Sequence, residues 1–207
     1  MTAKDDLDEL IEVIWKDILA ERGFERKRRL FVKTDSLLRA VRFDVSKWAQ
    51  KSSSGFNVIC NLGVPGLSTV SGTQWSWVVS IALDGLQPRR ERVNFEVGEA
   101  IELDRVVGAV RGAVVRACDD FLFAFDRPHE LYQLMVDGWT RLDEWIAQPA
   151  SPILRYELGA GYARFLGLTN EEAELRTRLA DAARESDLDD LVPEIAERLD
   201  AVPLGAP

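Results

Sequence analysis

Apolar residues in the first twenty positions recur at helical spacing. Leu7, Leu10, Ile11, Ile14, Trp15, Ile18 and Leu19 share one face, and Asp, Glu and Lys fill much of the other. Asp5 and Asp6 suit the start of that helix, and Gly23 is placed to stop it. The period then drops to two. Leu30 and Val32 alternate with Phe31 and Lys33, Thr34-Asp35-Ser36 supplies turn chemistry, and Val41, Phe43 and Val45 alternate with Arg42, Asp44 and Ser46. After Ser52-Ser53-Ser54-Gly55, the set Phe56, Val58, Cys60 and Leu62 alternates with Asn57, Ile59 and Asn61. Three strands joined by short turns predict an antiparallel meander. A loop rich in Gly, Ser and Pro leads to a fourth strand with Trp77, Val79, Ile81 and Leu83 on one face. Val93, Phe95 and Val97 mark a fifth.

From about Leu103 the period becomes helical and stays so. Val107, Val110, Val114, Ala117, Phe121 and Phe125 stripe one long helix, Pro128 resets it, and Leu131, Leu134, Met135, Leu142, Trp145 and Ile146 stripe a second. Gln148-Pro149-Ala150-Ser151-Pro152 reads as a linker. Beyond it, Leu154, Leu158, Tyr162 and Phe165 predict a helix ended by Gly167, and Thr169 with Glu172 forms the T-x-x-E pattern of a capping box. Leu188, Leu191, Ile195 and Leu199 predict a last short helix. The expected class is α+β: an antiparallel meander sheet of four to five strands, packed by the N-terminal helix and the long central helix. Residues 1–147 are expected to form this core domain, and residues 153–200 a helical C-terminal extension packed on it.

Composition narrows the class without changing it. At 207 residues, 46% hydrophobic and 29% charged, the chain has the balance of an ordinary soluble protein and enough apolar surface to offset its ordering entropy. No apolar run approaches the roughly 18 residues of a membrane span, and the acidic start MTAKDDLDEL is the reverse of a signal peptide. The expected location is the cytoplasm. Cys60 and Cys118 lie inside apolar patterns, far apart and outside any CxxC motif, so both are expected to be buried and reduced.

Charge does change the picture. The chain carries a net -9, yet residues 22–51 hold ten basic residues against Glu25, Asp35 and Asp44, a local +7. In a nucleic-acid reading, Arg26, Arg28, Arg29, Arg42 and Lys47 contact phosphates, and Trp48 or Phe31 stacks on bases. The competing reading is the polar face of a half-buried strand. Its cations then discourage edge pairing or pair with the acidic C-terminal helices. Trp75-Ser76-Trp77 would place two indoles on one face of a strand, a platform for a base, sugar or peptide or else part of the core. Trp48 could join them along a groove.

Other chemistry is sparsely signalled. His129 is the one histidine and follows Pro128 at a helix start, a surface position rather than that of a triad base. There is no Cys/His cluster, no HExxH and no calcium-loop spacing. The pairs Asp119-Asp120, Glu171-Glu172 and Asp189-Asp190 read as solvated helix charges, and Gly63-Val64-Pro65-Gly66 and Gly159-Ala160-Gly161 as turn and packing sites. No cofactor and no metal are expected.

The order of features resembles a bacterial family, the domain of unknown function 4304. The resemblance is carried by a helix followed by Gly23-Phe24, the basic run and Leu30-Phe31-Val32-Lys33. A strand like Val41-Arg42-Phe43-Asp44-Val45-Ser46-Lys47 comes next, then one like Phe56-Asn57-Val58-Ile59-Cys60-Asn61-Leu62-Gly63. It covers roughly Leu7 to Trp145. It implies a soluble α+β domain and transfers no catalytic residue. The expected function is therefore a non-enzymatic interaction domain with a protein partner, one form being an immunity-type or accessory protein that neutralises a basic toxin. The alternatives are nucleic-acid binding through residues 22–51 and a carboxylate- or metal-dependent enzyme.

Overall fold

The computed structural model describes residues 2–46, 52–71, 74–83, 95–137 and 151–204. The fold is α+β, with an antiparallel sheet and an N-terminal helix. Helix α1 (Ala3–Ile14) is opened by a reciprocal capping box. The Asp5 N–H donates to Thr2 Oγ1, and the Thr2 N–H donates to the Asp5 carboxylate at 2.8 Å. The helix loosens into a π-helical turn over Trp15–Leu19, and Gly23 then takes a left-handed φ of 80° to release the chain.

Strands β1 (Glu25–Lys27) and β2 (Leu30–Thr34) follow, joined by Arg28 and Arg29, with Lys27 opposite Leu30. The basic run is thus a tight hairpin of its own rather than the approach to a single strand. Arg28 sits in its turn at a φ of 62°. Strands β3 (Leu38–Val45), β4 (Ser53–Gly63) and β7 (Val78–Ala82) complete the path β1-β2-β3-β4-β7, and β8 (Glu96–Gly98) pairs with Ser53–Gly55 of β4. A separate two-stranded ribbon is formed by β5 (Thr69–Ser71) and β6 (Gln74–Ser76). The expected fourth strand is therefore interrupted. Trp77 stands between β6 and β7 with a φ of 57°, outside the extended conformation of a strand.

Helices α2 (Leu103–Ala117), α3 (Pro128–Val136), α4 (Pro152–Phe165), α5 (Thr169–Glu185) and α6 (Val192–Asp200) make up the rest. α2 buries Val106 rather than Val107 and runs into a π-helical turn over Cys118–Leu122. The expected continuation of α3 through Leu142, Trp145 and Ile146 and most of the linker lie outside the described residues. α5 opens without the expected Thr169 cap, because Glu172 is buried and accepts from Arg164 at 3.2 Å and Arg176 at 2.9 Å instead. The chain divides into two compact units, Met1–Leu62 with Val79–Ala124, and Gly63–Val78 with Phe125–Pro207. Residues 63–78 thus group with the C-terminal helices.

In the sheet unit the core is organised by a row of rings. Trp15 stacks on Phe31 at 5.5 Å, Phe31 meets Phe43 edge-on at 5.9 Å, Phe43 leads to Phe56 at 6.2 Å, and Phe56 stacks on Phe95 at 5.7 Å. The four phenylalanines are buried and step across β2, β3, β4 and the residue before β8. Each pair adds about 0.5–1.5 kcal/mol to the apolar burial. In the helical unit a polar node does the anchoring. The Trp77 carbonyl accepts from the Ser68 hydroxyl and, at 3.0 Å, from Tyr162 Oη, while the indole lies against the backbone of Gly161 on α4.

Three outcomes follow from the packing. Phe43→Ala, at the middle of the row, is expected to cost about 3–5 kcal/mol in chemical denaturation. Gly161→Ala places a methyl into the Trp77 ring, so overpacking of about 1–3 kcal/mol should exceed the roughly 1 kcal/mol gained in helix propensity. Gly112→Ala on α2 meets nothing and is expected to stabilise by about 0.5–1 kcal/mol, measured the same way.

Candidate functional site

The hairpin brings Arg26, Arg28 and Arg29 together, and α1 supplies counter-charges to two of them. Register places Arg26 opposite Phe31, on the face α1 covers, so its guanidinium lies 5.8 Å from the Phe31 ring centre and pairs with Glu12. Arg29 pairs with Asp8 at 3.2 Å, and Arg22 with Asp119 at 3.1 Å. Arg42, on β3, is largely buried and pairs with Asp44. Where the expected partners are acids of the C-terminal helices, the described partners of these cations are Glu12 and Asp8 on α1, Asp119 in the turn after α2 and Asp44 on β3. Lys27 and Arg28 are exposed and form no ion pair with any described residue. Lys47 and Trp48 lie outside the described residues.

Arg39 carries no signal in the sequence, yet among the described residues it is the largest fully buried side chain. Its Nε donates to the Leu122 carbonyl at 2.6 Å, its plane lies 5.0 Å from the Phe123 ring centre, and it pairs with Asp35. Burial pushes the Asp35 carboxyl up, but the Leu37 N–H and the Arg39 guanidinium outweigh it and hold the group below its ordinary 3.8. Glu12 is likewise held below its ordinary 4.5 by hydrogen bonds from Arg26 and Lys16.

Of the two expected platform tryptophans, Trp77 is the one whose side chain is described. Trp75 lies on β6, and Trp77 turns its carbonyl to Ser68 and Tyr162 and its ring to Gly161. Burial pushes the Cys60 thiol well up and the Cys118 thiol up to about 12, so both remain protonated at neutral pH. His129 is exposed on α3, with Gln133 and Tyr132 as neighbours. Among the described residues no group of three His, Cys, Asp or Glu is placed to hold a metal ion.

The feature that stands out lies in the helical unit. Leu154, Leu188 and Leu191, expected inside their helical stripes, are 46%, 42% and 40% exposed. The reason is phase. α6 begins only at Val192, so Leu188 and Leu191 belong to the tight turn before it, and α4 buries Ile153 and Leu158 in place of Leu154. The three leucines line an open groove of about 220 Å³ with Ile153 and Ile195. At its rim, Arg198 is held by Glu157 at 2.9 Å and Glu194 at 2.6 Å. Asp187, Asp189 and Asp190 are exposed beside it and form no ion pair with any described residue. Residues 151–207 hold twelve acidic against six basic residues, a net -6.

Comparison with family models, curated proteins and solved structures finds no match to this chain. Among the described residues no helix is long and apolar enough to cross a membrane.

Acid should remove the stabilisation that Asp35 and Glu12 provide. Asp35 and Glu12 have folded values below their unfolded ones, so their stabilisation is present above 3.8 and 4.5 and is lost as pH falls through the lower folded values. The denaturation midpoint is expected to decline in that range. Asp35→Asn should be less stable at pH 7, with a shallower acid decline.

Proposed function

We propose that the chain is a non-enzymatic interaction domain that engages a protein partner in the cytoplasm, with the helical unit carrying the contact face. The observation that supports this reading is the groove of Leu154, Leu188 and Leu191 on a strongly acidic unit. Large apolar side chains in one exposed patch, rimmed by charge, are the composition of a protein contact rather than of free surface. Its volume falls below the roughly 300–1,000 Å³ of sites that enclose a small-molecule ligand. The unpaired carboxylates favour a basic partner and a fast, salt-sensitive encounter, which suits an accessory or immunity-type protein that neutralises a basic toxin. The cations of Arg22, Arg26, Arg29 and Arg42 are already paired within the chain, which weakens the nucleic-acid alternative.

Affinity capture from the native lysate should recover a basic protein at low salt and lose it at high salt. The same protein should be lost with the double variant Leu154→Ser/Leu191→Ser. Saturable nucleic-acid binding that disappears with Lys27→Glu/Arg28→Glu would move the function to the hairpin and overturn this reading.

A further inference from the structure

The groove also limits what can sit in it, an inference that rests on the reading above. Leu154 comes from the first turn of α4, Leu188 and Leu191 from the turn that precedes α6, and Ile153 and Ile195 form the floor. Its accessible surface is mostly apolar, so burying it needs apolar side chains from the other side rather than a polar ligand. The space is open and shallow enough for one or two such side chains.

Charge selects among apolar occupants. Among the described residues the one cation lining the groove, Arg198, is held between Glu157 and Glu194, and Glu157 raises its proton affinity first of all. Its charge is therefore spent within the protein. Asp187, Asp189 and Asp190, chain neighbours of Leu188 and Leu191, add three exposed carboxylates that form no ion pair with any described residue, so the turn carrying these leucines presents a negative excess to whatever approaches. An acidic or neutral apolar segment would meet like charge or leave these groups without partners. A segment that places Lys or Arg on either side of an apolar stripe satisfies both the groove and its rim.

We propose that this groove binds a basic amphipathic helix of a partner protein, with one or two large apolar side chains between Leu154, Leu188 and Leu191 and its Lys or Arg residues on Asp187, Asp189 and Asp190. A helix fits because two side chains three or four residues apart lie on one face, about 5–6 Å from each other. That spacing lets a short segment fill a short groove while its flanks reach the acidic turn.

The test uses the full chain and a fluorescent peptide of roughly 18 residues, long enough to sustain a helix, with Leu and Phe on one face and Lys on the other. Anisotropy should show saturable binding at 50 mM salt that weakens about tenfold or more by 300 mM. Leu191→Ser and Leu188→Ser should each weaken it about tenfold with the melting temperature kept, since both leucines are exposed. Asp189→Asn/Asp190→Asn should weaken it and flatten the salt dependence. Equal binding by a scrambled peptide of the same composition, or wild-type binding by the leucine variants, overturns the proposal.

A photo-cross-linker at position 191 separates the remaining outcomes. Capture of one specific partner that is not basic overturns the basic helix and leaves the interaction reading standing. A cross-link within the same chain shows the groove already covered and overturns the proposal. A cross-link to a second copy, abolished by Lys27→Glu/Arg28→Glu, overturns it in favour of self-association. No cross-link and no peptide binding remove both this inference and the interaction reading.

Discussion

The row of rings from Trp15 through Phe31, Phe43 and Phe56 to Phe95 is the constraint on which the sheet unit depends. Each ring belongs to a different element, so the row fixes strand order and face at once. A one-residue slip of β2 on β3 would turn Phe31 or Phe43 to the opposite face and open the row in its middle. Trp15 ties α1 to the same row, and α1 in turn brings Asp8 and Glu12 over the hairpin. The placement of the charged groups is thus a consequence of apolar packing. The exposed ion pairs themselves contribute about 0–1 kcal/mol each.

That placement alters the meaning of the charge pattern. A +7 stretch in an acidic chain looks like a binding patch when only the sequence is counted. In the folded sheet unit most of its described cations have carboxylate partners, and one of them, Arg39, serves the interior by closing the end of α2 against β3. What the hairpin leaves exposed is Lys27 and Arg28. The helical unit shows the converse. Its acidic residues are partly used up in the Arg164–Glu172–Arg176–Asp200 network, and those of the turn before α6 are not. Unspent charge beside unspent apolar surface is what distinguishes that turn.

Local backbone irregularity recurs where the chain changes direction. Trp77 holds a left-handed conformation that a bulky residue adopts only under constraint, and two hydrogen bonds to its carbonyl with close packing on Gly161 supply it. The π-helical turns at Trp15–Leu19 and Cys118–Leu122 close α1 and α2 while keeping Ile18, Leu19, Cys118, Phe121 and Leu122 buried.

Periodicity alone determined the α+β class, the N-terminal helix, strands near β2, β3, β4 and β7, and the helical second half. Local period and face burial are both properties of neighbouring residues, so they can be read along the chain. It also placed Cys60 and Cys118 in the interior, where they are. Tertiary structure decided the rest. That Arg26, Arg28 and Arg29 form a hairpin, and that Arg26 and Arg29 meet α1, depends on register and on which helix covers which face. That Trp77 leaves strand geometry depends on Ser68 and Tyr162, nine and eighty-five residues away from it. The groove was hidden in apparently ordinary helical stripes, because leucine spacing is the same whether the helix starts at Leu188 or at Val192. Only the fold shows which turn begins the helix, and therefore which leucines are left facing water.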